Sequence, residues 1–172
     1  NDSMKEGRMF GMVQPRNKST SITEVYKIGC LGKIISFDET NDKRFIITLS
    51  GLIRFRIKNE LKKDKLYRIF EVDYSEFLSD LEEKKEQAIN YDKKNLLNKI
   101  KIFFQKIDYA VDRNELTKLN IDQLVNTVSM ISPFSKEEKQ KLIETIKLED
   151  RIKTLDEIIN FNLLDFQENK TV

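Results

Sequence analysis

Histidine is absent from this 172-residue chain, and cysteine occurs once, at Cys30. Without histidine there is no Ser-His-Asp triad, no Cys-His pair and no imidazole ligand for zinc. A single thiol closes no disulfide within the chain and supplies no multi-thiolate metal site. Glycine is sparse as well, at five residues. Gly29 and Gly32 lie inside a strand-like pattern rather than ahead of a helix, so no phosphate-cradling loop is present. No run approaches the ~20 apolar residues that cross a bilayer, and no secretory signal is visible, which predicts a cytoplasmic protein without a membrane partner. A surplus of one charge is missing too. The 31 basic and 29 acidic residues leave a formal charge of +2, whereas nucleic-acid binders concentrate positive charge to neutralise phosphates.

What is present is charge in quantity, 35% of residues, and an apolar 39% that is grouped and periodic. That combination describes a folded chain with charged helix surfaces rather than a disordered one. At this length one domain, or two small ones, can bury roughly 70% of the unfolded surface without a staple. Cys30 shares an apolar strand pattern with Ile28 and Ile34, which predicts a buried, reduced thiol.

The first half reads as β-structure. Across Arg44–Ile57, Phe45, Ile47, Leu49, Ile53, Phe55 and Ile57 fall on one face. Arg44, Thr48, Ser50, Arg54 and Arg56 fall on the other, with Ile46 and Leu52 as apolar exceptions. The pattern predicts a long strand with one core-facing side and solvated or salt-bridged arginines. Gly51 marks a bulge or bend. Asp38–Lys43 is a polar run suited to a hairpin, Asn59–Lys65 is a second charged connection, and Pro15 leads into a loop over Arg16–Ser21. Successive antiparallel pairings at this spacing predict a small, twisted barrel or pseudo-barrel.

Beyond Tyr74 the apolar period changes from two to about 3.6. Ser75–Asn90 reads as a solvated helix or a linker. Leu96, Ile100, Phe103 and Ile107 form a helical stripe that Leu97 and Phe104 widen. Short helices follow over Asn114–Leu119 and Ile121–Met130. Ser135 and Glu138 have capping-box spacing, with Leu142, Ile143 and Ile146 as the buried side. Leu148, Ile152, Leu155 and Ile159 line a last helix. The domain division is therefore 1–76 for the β-rich part and 77–172 for a helical bundle.

Four segments carry a resemblance: Phe10-Gly-Met-Val-Gln-Pro15, Gly29-Cys-Leu-Gly-Lys-Ile34, Leu49-Ser-Gly-Leu-Ile-Arg-Phe-Arg-Ile57 and Tyr67-Arg-Ile-Phe-Glu-Val72. In this order and spacing they resemble the N-terminal, substrate-recognising domain of Lon ATP-dependent proteases. The Pro133-Phe134 break followed by Glu138-Lys139-Gln140 is similar to the helices that follow in that family, especially in stand-alone bacterial proteins. The resemblance implies an α+β fold: a PUA-like twisted β-barrel or pseudo-barrel followed by a C-terminal helical bundle. It also implies that the family's opening strands lie before Asn1–Met4, which resembles the end of the helix after them. A barrel lacking those strands would expose an edge for its own segment or a partner copy to cover.

The sequence holds no Gly-x-x-x-x-Gly-Lys-Ser/Thr phosphate loop and no counterpart of the Ser-Lys peptidase domain. The resemblance thus implies a non-catalytic module with no cofactor and no metal. Its expected partners are unfolded or degron-bearing polypeptides or a protease, with a homo-oligomer also open. Met9, Phe10, Met12 and Phe37 are the candidate protein contacts, set against an ordinary place in the barrel core. The alternatives are a PUA-like RNA binder using Arg44, Arg54, Arg56 and Arg68 as a basic strip, and a fragment of a full-length protease. The polar run Gln167–Val172 reads as a tail and favours a short natural protein over that fragment.

Overall fold

The computed structural model describes residues 7–16, 24–62, 64–82 and 91–168. Asn1–Met4, most of the loop after Pro15, most of the tail after Gln167 and the centre of the charged run before Tyr91 lie outside them. The chain divides into two compact units, Asn1–Glu83 and Lys84–Val172.

Unit 1 is a four-stranded antiparallel sheet of β1 (Met9–Met12), β2 (Ile28–Glu39), β3 (Phe45–Leu61) and β4 (Ile69–Asp73), in the order β1-β2-β3-β4. β1 runs along β2 from Met9↔Lys33 to Met12↔Cys30. β2 and β3 pair from Ile28↔Arg56 to Glu39↔Phe45, joined by the expected polar hairpin. There the Thr40 amide donates to the Arg44 carbonyl (2.8 Å), and Lys43 takes a left-handed φ of 62°. Arg56↔Asp73 to Leu61↔Ile69 join β3 to β4. The register slips beside Gly51, where Leu31 faces Ile53 but Gly32 faces Gly51, leaving Leu52 as an extra residue. A bulge stands where the glycine interrupts the strand.

One buried cluster of this unit joins Ile28, Ile53 and Phe77, with Leu31, Leu52 and Tyr74 packed against them, and Ile34, Phe55 and Ile57 are buried as well. Phe77 belongs to a 3₁₀ turn over Ser75–Asp80 and is wholly buried. Burying such a ring contributes about 2–3 kcal/mol. Because Phe77 and Asp80 pack on the sheet, the compact unit extends past residue 76 to Glu83.

Three side chains of β3 depart from the expected alternation. Arg54, expected on a solvated face, is 7% exposed, because Asp80 comes down from the 3₁₀ turn to neutralise it. Phe45 and Ile47, expected to face the core, are exposed, because that end of β3 extends beyond the part of the sheet that Phe77 covers.

Unit 2 comprises α1 (Lys93–Lys106), α2 (Arg113–Lys118), α3 (Ile121–Ile131), α4 (Lys136–Glu144) and α5 (Leu148–Glu168). Each of the first four starts at a side-chain cap: Asp92, Asp112, Asn120 and Ser135 accept from early amides of the helices they precede. Ser135 and Glu138 form the expected capping box, and Asn120 with Gln123 forms another. Leu96, Ile100, Phe103, Leu124, Val125, Val128, Leu142, Ile152, Leu155 and Ile159 share one apolar cluster. Ile146 is exposed rather than on that buried side, since α4 ends at Glu144 and its helical spacing goes no further.

Candidate functional site

The feature that sets unit 1 apart is a ribbon with more apolar surface than its core can use. β1 accompanies β2 only to Lys33, with the Ile34 amide donating to the Arg8 carbonyl at 2.8 Å. Arg8 and Gly7 then take left-handed φ values of 59° and 75°, which turn the chain away. β4 accompanies β3 only from Arg56. Between those limits, Ser36–Glu39 and Phe45–Thr48 form a two-stranded extension that no other described strand joins.

One face of the extension is largely apolar, and the other carries a single exposed isoleucine, Ile46, among Ser36, Asp38 and Thr48. Phe37 lies opposite Ile47 and Glu39 opposite Phe45, so Phe37, Phe45 and Ile47 share one face. Their two rings stack with centroids 4.8 Å apart. Ile46 projects from the other face, opposite Asp38. Ile35 sits at a second register shift, between Ile34↔Leu49 and Ser36↔Thr48. Phe45 and Ile46 remain 54% and 59% exposed, in a position where a core would have covered them. The hairpin tip adds a shallow recess lined by Thr40, Asn41, Asp42, Arg44, Phe45 and Ile46.

Of the four contacts expected from sequence, Phe37 lies in this patch. Met9 and Met12 are exposed on β1 and Phe10 is half-buried there, so none of the four is a core side chain. The nearest of these methionines pairs with Lys33, roughly 13 Å along β2 from Phe37 at the usual rise per residue. The structure brings Phe37 to Phe45 rather than to the methionines. The partners that sequence reasoning missed are Phe45, Ile46 and Ile47. Their signal was an apolar run that breaks the alternation, leaving neither face of the strand polar.

The four arginines of the candidate basic strip each meet a carboxylate. Arg44 lies 2.6 Å from Asp42, Arg54 2.8 Å from Asp80, and Arg68 2.6 Å from Glu60. Arg56 donates to Glu76 at 2.7 Å. The Arg56 and Arg68 hydrogen bonds hold the carboxyls of Glu76 and Glu60 below their ordinary range. Cys30 is half-buried and unpaired with any other cysteine. Burial, and secondarily the charge of Asp80, push its thiol up, which favours the protonated, unreactive form. Among the described residues no helix is long and apolar enough to cross a membrane.

The sequence profile of the ATP-dependent protease La (LON) substrate-binding domain matches residues 1–160. The chain belongs to this family. The Lon protease of Malacoplasma penetrans is 30% identical over 167 residues, covering 90% of this chain and 21% of that protein. Lon protease 2 of Myxococcus xanthus is 22% identical over 162 residues, covering 92% of this chain and 20% of that protein. The Lon-type domain described here thus spans about a fifth of the length of these relatives. Its fold matches the Lon N-terminal domain protein of Xanthomonas campestris with a TM-score of 0.64 at 17% identity, over 90% of this chain and 78% of that one. The N-terminal domain of the Mycobacterium avium complex Lon protease aligns with a TM-score of 0.51 at 14% identity, over 90% of both chains.

Proposed function

We propose that this Lon-type domain binds unfolded or degron-bearing polypeptide segments without catalysing a reaction on them, and serves an ATP-dependent proteolysis performed elsewhere. The observation that carries the reading is the exposed apolar face of the β2–β3 ribbon, with Phe37 stacked on Phe45 beside Ile47. Exposed apolar patches of this kind mark interaction sites on soluble proteins, and contact of modest area gives the weak, reversible binding that a recogniser of many segments needs. Met9, Phe10 and Met12 on β1 are a second, adaptable contact in this reading.

The bulged antiparallel sheet is in keeping with a PUA-like pseudo-barrel, and the five helices with a companion bundle. The pairing of Arg44, Arg54, Arg56 and Arg68 with carboxylates speaks against nucleic acid as the ligand. The single, protonated Cys30 suits a reducing, cytoplasmic setting.

Titration of the chain against a reduced, carboxymethylated unfolded protein tests the proposal. Binding at micromolar concentration is expected, weakened about tenfold or more by Phe37→Ser with Phe45→Ser. No binding across the micromolar range would remove the proposal. Undiminished binding by the double variant would move the site away from the ribbon.

A further inference from the structure

The β3 edge that presents Phe45 and Ile46 offers backbone as well as side chains. β4 first pairs with β3 at Arg56, and the Arg54 amide is taken by Asp80 Oδ2 at 3.1 Å. From Phe45 to Ile53 no described strand runs along that edge. On an antiparallel strand, alternate N–H and C=O groups point outward along such an edge, ready to pair. Proteins usually blunt an exposed edge with charge, proline or a bulge. Phe45-Ile46-Ile47 has none of these, the bulge at Gly51–Leu52 lies only at the far end of the edge, and the neighbouring Arg44 is engaged by Asp42.

One apolar face and one mixed face constrain what could lie there. An added strand sends its side chains alternately to either face, where one set meets Phe45 and Ile47 and the other meets Ile46. The available area limits the size of the occupant. Ile35, Phe37, Phe45, Ile46 and Ile47, each about half exposed, offer on the order of 300–500 Å². A stable interface between copies of a chain needs about 800 Å² from each partner. A second copy would be held too weakly by this patch, whereas a short extended segment would use all of it.

Resting on the polypeptide-binding reading above, we propose that the edge of β3 over Phe45–Gly51 takes its client by strand addition. The occupant is an extended, proline-free segment of unfolded polypeptide, held through its backbone and accepted for alternating apolar side chains rather than for one sequence.

A fluorescent synthetic peptide alternating valine and threonine, flanked by lysines, is titrated with the full chain beside two twins of identical side chains. One twin carries N-methyl groups on the amides of a single edge, the other on the amides of both edges. The parent and the single-edge twin should bind within about threefold of each other, and the double-edge twin about tenfold or more weaker. Binding should also slow hydrogen exchange at amides within Phe45–Ile53. Equal affinity for all three peptides would overturn strand addition and leave the polypeptide-binding reading standing. So would binding of an unfolded protein but of none of the peptides. Loss of both unfolded protein and peptides would defeat the two together. A peptide-free dimer, seen by sedimentation with Phe45–Ile53 already protected, would assign the edge to a second copy and overturn the proposal.

Discussion

Asp80 closes around Arg54 from both ends of its carboxylate. Oδ2 accepts from the Arg54 backbone amide at 3.1 Å and from Nε at 2.9 Å, while Oδ1 accepts from Nη2 at 2.8 Å. The same guanidinium lies 4.8 Å over the ring of Phe77. One arginine therefore fixes the 3₁₀ turn to the middle of β3 by charge, by hydrogen bonding and by ring contact.

Removing half of that pair should be costly. With the two side chains only 8% and 14% exposed, Asp80→Ala takes the neutralising carboxylate away from a largely buried cation, a change that typically costs about 3–5 kcal/mol. Arg54→Met combined with Asp80→Leu should recover most of the loss, because no charge is then stranded. Hydrogen exchange at β3 amides reads the effect directly in a chain that lacks tryptophan. Equal protection in Asp80→Ala and the unaltered chain would show the pair to be dispensable.

Gly29 and Gly51 should respond unequally to alanine. A Cβ at Gly29 would stand 2.5 Å from the Met12 carbonyl oxygen and 2.7 Å from both Val13 and the Phe55 ring. Gly29→Ala must push β1 off the sheet or shift Phe55, at about 1–3 kcal/mol. A Cβ at Gly51 meets only Cys30 Sγ, at 3.4 Å, so Gly51→Ala should stay near neutral. Urea titrations followed by circular dichroism would rank the two, and the reverse order would contradict the close approach of β1 to Gly29.

Legibility in the sequence followed the range of the interactions concerned. The helix stripe Leu96–Ile100–Phe103 and the Ser135–Glu138 cap were readable because helical periodicity and capping act within a few residues. The Gly51 bulge was readable for the same local reason. Arg54 was misplaced because its partner lies twenty-six residues away in sequence, at Asp80, and alternation says nothing about a counter-charge arriving from another element. Phe45 and Ile47 were misplaced because alternation reports which residues share a face, not whether anything covers that face. Of the candidate contacts, only Phe37 reached the ribbon patch, since the methionines are separated from it by the register of β1 on β2.

Acid should weaken unit 1. The Asp73 carboxyl is held far below its ordinary 3.8, first by the hydrogen bond from Lys58 and then by the Ser75 amide. Glu76 and Glu60 are held below 4.5 by Arg56 and Arg68. A carboxyl with a depressed folded-state pKa contributes stability above its unfolded value and loses it as pH falls through the folded one. Protection of the β3–β4 amides should therefore decline as pH drops below about 4.5 and continue to fall further into acid. Lys58→Met should shrink the Asp73 part of that decline and end it at higher pH, because the folded value then lies nearer the unfolded one. Identical pH profiles for Lys58→Met and the unaltered chain would rule out the Lys58 contribution.

Two serines close together in sequence should give opposite signs. Ser132 is wholly buried and its hydroxyl has no hydrogen-bond partner among the described residues, so Ser132→Ala removes a desolvation cost and should stabilise unit 2 by about 1 kcal/mol. Ser135 accepts from the Glu138 amide at 3.2 Å as the cap of α4, and Ser135→Ala should cost about 1 kcal/mol. Melting curves at the helical circular-dichroism band distinguish them. A destabilised Ser132→Ala would mean that its hydroxyl is satisfied in solution.

Salt separates the two ligand classes that this fold could serve. A ligand held on phosphates through six to ten cationic contacts loses about 10³–10⁵ in affinity between 50 and 200 mM salt, because bound counterions are released. Arg44, Arg54, Arg56 and Arg68 are each held by a carboxylate, so a phosphate would have to displace an existing partner at every step. An apolar segment on Phe37, Phe45 and Ile47 has no such term, and its affinity should change by less than about threefold over the same range. Fluorescence titrations of an unfolded protein and of a single-stranded RNA at the two salt concentrations decide between them. Tight RNA binding at low salt, collapsing at high salt, would return the arginines to the functional site and displace the ribbon from it.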